Sequence, residues 1–321
     1  MQRRHLLLGL LASKAAHAQP AFDTLARHIE DELPDVQSVV AHRAGQVRFE
    51  FHRAGSGPQT LRDVQSVTKS VLGMAVGVAL ARREISSLDQ PVLPLLPELQ
   101  DVADDRAMRA LSWRHLLGLT AGFDTAAPLT RRQWDDPLAI GSRPFANAPG
   151  ERFQYDNLSS NLLSIALQRA VGQKTAAYCQ RHLFTPLGIE TMEWVQGPQG
   201  HSLGALGLQL RTGDLARLGE AMLAEGETPL SQAFRRAATQ PQSAGGAPGG
   251  LPYGLGWWVV PAREGQRPTF FGLGFGGQYL WVHPPLGLVV AATSLVSGDS
   301  AGRAQALGLI RGRLFAALTA R

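Results

Sequence analysis

The sequence predicts an α/β (α+β) fold in which an antiparallel sheet is flanked by terminal helices and interrupted by an inserted, mainly helical region. Three observations predict it. Alternating strand-type runs occupy both ends, glycine-stopped helical patterns fill the middle, and a helical pattern stands outside the strands at each end. Strands at both ends and helices between them imply a discontinuous sheet domain, 19–84 with 236–321, around an insert of 85–235. A cleft is expected where two such regions meet.

The elements follow in order. "AFDTLARHIEDELP" spaces Phe22, Leu25, Ile29 and Leu33 on one helical face and stops at Pro34. Two alternating runs around Ala44-Gly45 read as a hairpin. From Val64 the pattern becomes helical through "VLGMAVGVALARR". In the middle, "ALSWRHLLGLTAG" and "NLSSNLLSIALQRAVG" end in glycine stops, and "RTGDLARLGEAMLAEG" reads as a helix with Thr212 as N-cap. The Gly/Pro segment 240–252 reads as a rim loop or a plain surface loop. "YGLGWWVV", "TFFGLGF", "QYLWVHP" and "LGLVVAATS" are strands, and "AGRAQALGLIRGRLFAAL" closes the chain as a helix. No internal repeat is evident.

The first eighteen residues, "MQRRHLLLGLLASKAAHA", combine a basic start, a short apolar run and an A-x-A ending. That is a secretory signal peptide, with an Arg-Arg pair compatible with the twin-arginine route, and it predicts a periplasmic or secreted protein without a stable membrane anchor. The segment holds Arg3, Arg4 and Lys14 and no acid, so the net charge of +5 falls to +2 without it. So small an excess excludes nucleic acid as an expected partner. Cys179 is the only cysteine, which excludes an intrachain disulfide, and it reads as a small buried residue. His115, His182, His201 and His283 show no metal-ligand spacing, and neither a metal nor another cofactor is expected.

Lysine use points to the chemistry. Of 31 basic residues only Lys14, Lys69 and Lys174 are lysines. Arginine cannot lose its proton in a protein, whereas lysine can. Lys69 stands three residues after Ser66 in "QSVTKSV", so on a helix start the hydroxyl and the amine share one face. A serine needs a base before it attacks a carbonyl. An exposed lysine is ammonium at neutral pH, but burial behind Val71, Leu72 and Met74 would favour the amine. The bland alternative is an ordinary helix start. A second cluster, Tyr155-Asp156-Asn157, opens another apolar helix. Tyr155 would relay a proton and Asn157 would fix the lysine or the substrate carbonyl; alternatively Tyr155 packs while Asp156 or Asn157 caps the helix.

Together these motifs resemble the β-lactamase-related serine hydrolases: class C β-lactamases, D-alanyl-D-alanine carboxypeptidases, and related esterases and aminohexanoate-oligomer hydrolases. The resemblance runs through "QSVTKSVLGMAVGVAL", "ISSLDQPVLPLLPEL", "LSWRHLLGLTAGF", "PGERFQYDNLSSNLLS", "LFTPLGI", "YGLGWWVV" and "GFGGQYLWVHP". It implies a β-lactamase/transpeptidase-like fold. It also implies Ser66 as acylated nucleophile, Lys69 as proton acceptor and Tyr155 with Asn157 as the Y-x-N element. The oxyanion donors it implies are the backbone N–H groups of Ser66 and Phe275, with Gly274 and Gly276 admitting the substrate to that strand. Asp156 is a further candidate for substrate contact, and so is Trp134, for which packing in a core is the alternative and the leading reading.

One departure narrows the substrate. Where relatives carry K-T-G or H-x-G, "FFGLGFGGQ" has no cation. A small neutral ester or amide is therefore the expected partner, with a β-lactam or D-alanyl-D-alanine peptide as the alternative. An α/β-hydrolase would need G-x-S-x-G, which is missing. An inactive binding protein on the same fold would be expected to have lost Ser66, Lys69 or Tyr155, and all three stand.

Overall fold

The computed structural model describes residues 21–100, 106–126, 129–296 and 301–320. The expected signal peptide, 1–18, lies outside them.

An eight-stranded, fully antiparallel sheet in the order β2-β1-β11-β10-β9-β8-β7-β6 forms the frame. The hairpin β1 (Val36–Arg43) and β2 (Gln46–His52) turns through Ala44 and Gly45, both at positive φ. The remaining strands are β6 (Ser243–Gly246), β7 (Leu251–Tyr253), β8 (Trp258–Val260), β9 (Thr269–Gly274), β10 (Gln278–His283) and β11 (Leu288–Ser294). Pairing of β1 with β11 joins the two ends of the chain, with Val40 opposite Ala291. A small sheet of β3 (Arg62–Asp63), β5 (Leu208–Leu210) and β4 (Glu193–Trp194) lies apart.

Both faces of the main sheet are covered, which explains why its inner strands read as near-continuous apolar runs. Phe270, Leu280, Val289 and Ala291 face one core; Phe271, Leu273, Tyr279, Val290 and Ala292 face the other. The second core is closed by α1 (21–32) and by the C-terminal helices described last. Arg53 locks the end of α1 by donating to the carbonyls of Ile29 and Leu33 at 2.8 Å.

The first core holds α2 (Thr68–Ala81), whose central residues are buried all round, as its unbroken apolar sequence requires. Around it pack α3 (Arg106–Ala110), α4 (Trp113–Leu117), α5 (Pro137–Gly141), α6 (Asn157–Val171) and α7 (Thr175–Cys179). Cys179 is fully buried, and burial pushes its thiol up, far from reactivity. Next come α8 (Thr212–Leu223) and α9 (Gln232–Ala238), and the chain closes with α10 (Ala301–Leu309) and α11 (Phe315–Thr319). No described helix is long and apolar enough to cross a membrane.

Three local expectations change. Thr212 is not an N-cap: Arg211 takes that place, and the Thr212 hydroxyl meets Thr293 Oγ1 at 3.1 Å. Segment 240–252 is not simply a loop, because β6 lies within it and β7 begins there; a glycine-rich edge can pair through its backbone without any strand-like side-chain pattern. α8, although part of 85–235, packs on the sheet, with Gly219 lying against Val289 and Leu280. Its periodicity marks an apolar face but not the layer that face meets.

Candidate active site

Ser66 sits in a single 3₁₀ turn, Gln65–Val67, that feeds directly into α2. The turn is entered through Gln65 at φ 49°, a conformation few non-glycine residues adopt. Asp63 holds it there: its carboxylate accepts from the Gln65 backbone N–H and from the Gln65 side-chain amide, both at 2.7 Å. Burial raises the Asp63 carboxyl above its usual range, and these two hydrogen bonds oppose the shift. Thr68 adds a clasp by donating to Gln65 O at 2.6 Å. Backbone strain held by such neighbours fixes Ser66 at the mouth of the cleft.

Lys69 is 4% exposed. Its Nζ lies 3.2 Å from Ser66 Oγ, 2.8 Å from Asn157 Oδ1 and 2.9 Å from Ala205 O. It also stands 4.8 Å from the centroid of the Tyr155 ring, and that ring stacks on Trp258. The structure thus brings Ser66, Lys69, Tyr155 and Asn157 together from α2 and the start of α6. Ser66, Tyr155 and Asn157 line a cleft of about 370 Å³, with Lys69 buried behind Ser66, and Leu206, Leu273, Gly274, Phe275, Gly276 and Arg303 complete its walls. Ser66 and Phe275 both line this cleft, and their backbone N–H groups are the candidates to meet a developing oxyanion. The Phe275 side chain is half exposed at the rim.

Two candidates are placed differently. Asp156 does not line the cleft: it caps α6 by accepting from Leu158 N and Ser159 N, and pairs with buried Arg143 at 2.7 Å. Trp134 packs against the helical core, and its carbonyl accepts from Asn161 Nδ2 at 2.8 Å. Gly274 and Gly276 do line the cleft, but protein backbone is what demands glycine there. A Cβ on Gly274 would lie 2.5 Å from Val64 O, and Gly276 takes φ 76° in the β9–β10 turn.

Two features had no readable signal. The first is a strap, 204–207, that delivers Ala205 O to Lys69. Asn161, buried on α6, accepts from Ala205 N at 3.0 Å and so suspends the strap between α6 and Lys69. A Cβ on Gly204 would fall 2.0 Å from Ser160 O, a backbone atom that cannot yield. Gly204→Ala is expected to cost about 1–3 kcal/mol in chemical denaturation and to lower kcat/KM, because the displaced strap removes a partner of Lys69. Gly213→Ala, at a helical position with open space around it, is the control and should leave both unchanged or slightly raise stability. The second feature is Arg303. The strand carries no cation, yet α10 brings this guanidinium to the cleft wall, where it donates to Pro248 O at 2.6 Å. Its approach depends on tertiary packing alone.

Among the described residues no cluster of histidine, cysteine or carboxylates could hold a metal.

A profile of the Beta-lactamase family matches residues 22–311. The 6-aminohexanoate-dimer hydrolase of Paenarthrobacter ureafaciens is 24% identical over 299 residues, covering 84% of this chain and 74% of that protein. Among solved structures, EstCE1, a hydrolase with promiscuous acyltransferase activity, superposes with a TM-score of 0.72 at 17% identity, covering 92% of this chain and 98% of that one. A beta-lactamase from Mycobacterium bovis gives a TM-score of 0.65 at 19% identity, covering 87% and 95%. These structural likenesses are likenesses of fold. With the profile spanning nearly the whole described chain, and with serine, lysine and tyrosine gathered at one cleft, the protein belongs to the Beta-lactamase family, as a serine hydrolase of β-lactamase/transpeptidase-like fold.

Proposed function

We propose that the protein hydrolyses a small ester or amide through an acyl-Ser66 intermediate. The observation that carries this reading is the environment of Lys69 Nζ. Two of its three partners, Asn157 Oδ1 and Ala205 O, can only accept hydrogen bonds. In its amine form Lys69 gives its two N–H groups to them, and its lone pair then faces Ser66 Oγ. The lysine takes the serine proton as Oγ bonds to the substrate carbonyl carbon, and the carbonyl electron pair moves to an oxygen held by the Ser66 and Phe275 N–H groups. When the carbonyl re-forms, the bond to the alcohol or amine breaks, and Tyr155 relays the proton to that leaving group. Water then attacks the acyl ester by the reverse path, returning the proton to Ser66 and releasing the acid.

The 6-aminohexanoate-dimer hydrolase supports an amide as one substrate type, and EstCE1 supports acyl transfer. Arg303 favours a second reading, in which the cleft takes a substrate carboxylate and the chemistry is that of a β-lactamase or carboxypeptidase. One set of assays on wild type and Ser66→Ala separates them: p-nitrophenyl esters, a short linear amide and a chromogenic cephalosporin. Turnover of ester or amide should fall at least about 10³-fold in Ser66→Ala, and wild type should carry an acyl adduct on Ser66 by mass spectrometry. Equal behaviour of the two proteins on every substrate would sink the nucleophile assignment. Fast cephalosporin turnover would select the second reading.

A further inference from the structure

Behind the catalytic cleft lies a second cavity of about 570 Å³, between the outer face of the sheet and the C-terminal helices. Its walls are mostly apolar: Phe271 and Leu273 from β9, Trp281 from β10, Leu307 from α10 and Phe315 from α11. Phe271 and Trp281 stack at 4.9 Å and make one wall flat. Leu273 and Arg303 line both this cavity and the catalytic cleft. The partition between the two is the segment 248–250, with Pro248 on the cleft side and Gly249 and Gly250 on the other. Pro248 is held from across the gap by the Arg303 guanidinium.

An apolar space of this size beside a reactive serine has the dimensions of a ligand pocket. We infer that this cavity receives an extended apolar arm of the substrate, an alkyl or aryl chain, while the scissile carbonyl sits at Ser66. The inference rests on the acyl-transfer reading above and adds the substrate class. Charge sharpens it. Arg303, Arg311 and His283 line the cavity and, among the described residues, no carboxylate does, so the arm is neutral or anionic at its tip, not cationic.

The test is a chain-length series. One arm uses p-nitrophenyl esters from acetate to octanoate, and the other uses acetates of alcohols from methyl to octyl; together they tell whether the acyl or the leaving-group chain fills the cavity. Wild-type kcat/KM is expected to rise about threefold per methylene in at least one series. A 6-aminohexanoyl ester should be poorer than the hexanoyl ester. Leu307→Trp, which fills the cavity from a residue outside the catalytic cleft, should lower kcat/KM at least tenfold for the eight-carbon member of whichever series rises and leave the shortest acetate within twofold. Leu307→Phe is the milder companion, and thermal melting confirms that each variant is folded. Flat series in wild type, or folded variants that keep the wild-type slope, would overturn the proposal while acetate turnover still upheld the acyl-transfer reading. If acetate turnover itself were the same in wild type and Ser66→Ala, the earlier reading would fall as well.

Discussion

Lys69→Arg is expected to lower kcat/KM by about 10³-fold while the protein still melts cooperatively. The substitution keeps a cation but removes the group that can take a proton, since a guanidinium stays charged and has no lone pair to offer Ser66. Its fork is also too wide for a position where Nζ meets three partners within 3.2 Å. A purely structural lysine would tolerate arginine far better, so near-normal activity would refute the proton-acceptor role. A rescue experiment separates chemistry from packing. Lys69→Cys should be inactive, and alkylation with 2-bromoethylamine, which rebuilds an amine of lysine's length, should restore a measurable part of the rate. Cys179 does not confuse the result, because it is fully buried and its thiol is held protonated.

Ser66 and Lys69 were legible because they are three residues apart on one short stretch, where local geometry alone brings them together. Lysine's rarity in an arginine-rich chain made the pair conspicuous. Tyr155 and Asn157 were legible only as a local cluster beside a helix start, and packing of α6 against α2 decides that they face Lys69. The same cluster misled at Asp156. A carboxylate between two cleft residues reads equally as ligand or cap, and only the approach of Arg143 from 13 residues upstream resolves it. Trp134 stayed open for a related reason, since an aromatic side chain signals burial without saying whether in a core or in a pocket, and the structure selects the core. The Ala205 strap and Arg303 carry no pattern at all. The first works through a backbone carbonyl, which every residue has, and the second crosses from a helix that follows the whole sheet. The strand carries no cation, as its sequence says, but α10 brings Arg303 to the cleft from elsewhere in the chain. At the level of architecture, alternation and glycine stops were enough for the sheet and the helices, whereas β6 escaped notice because its glycines pair through backbone only.

Asp156→Ala is expected to destabilise the protein by about 3–5 kcal/mol, read as a lower denaturant midpoint at constant slope. Two losses combine. The first turn of α6 loses the acceptor for Leu158 N and Ser159 N, a cap whose removal alone costs about 1 kcal/mol. The larger loss is at Arg143, a guanidinium 5% exposed that, among the described residues, would keep the Ile140 carbonyl and the face of Phe123. A buried cation without its counter-ion is the costly state, not the absence of the pair itself. Arg143→Met should therefore be milder, because Asp156 retains both backbone N–H donors and the Ser159 hydroxyl. Arg143→Met combined with Asp156→Asn should recover part of the stability lost in Asp156→Ala, since no orphaned charge remains and asparagine still caps. Equal stability of wild type and Asp156→Ala would contradict the structural role and return Asp156 to the list of cleft residues. Activity carries a second reading of the same change. Tyr155 and Asn157 flank the cap, so a loosened α6 start should lower kcat through the positions of both, and Asp156→Asn, which preserves the cap geometry, should lower it less than Asp156→Ala.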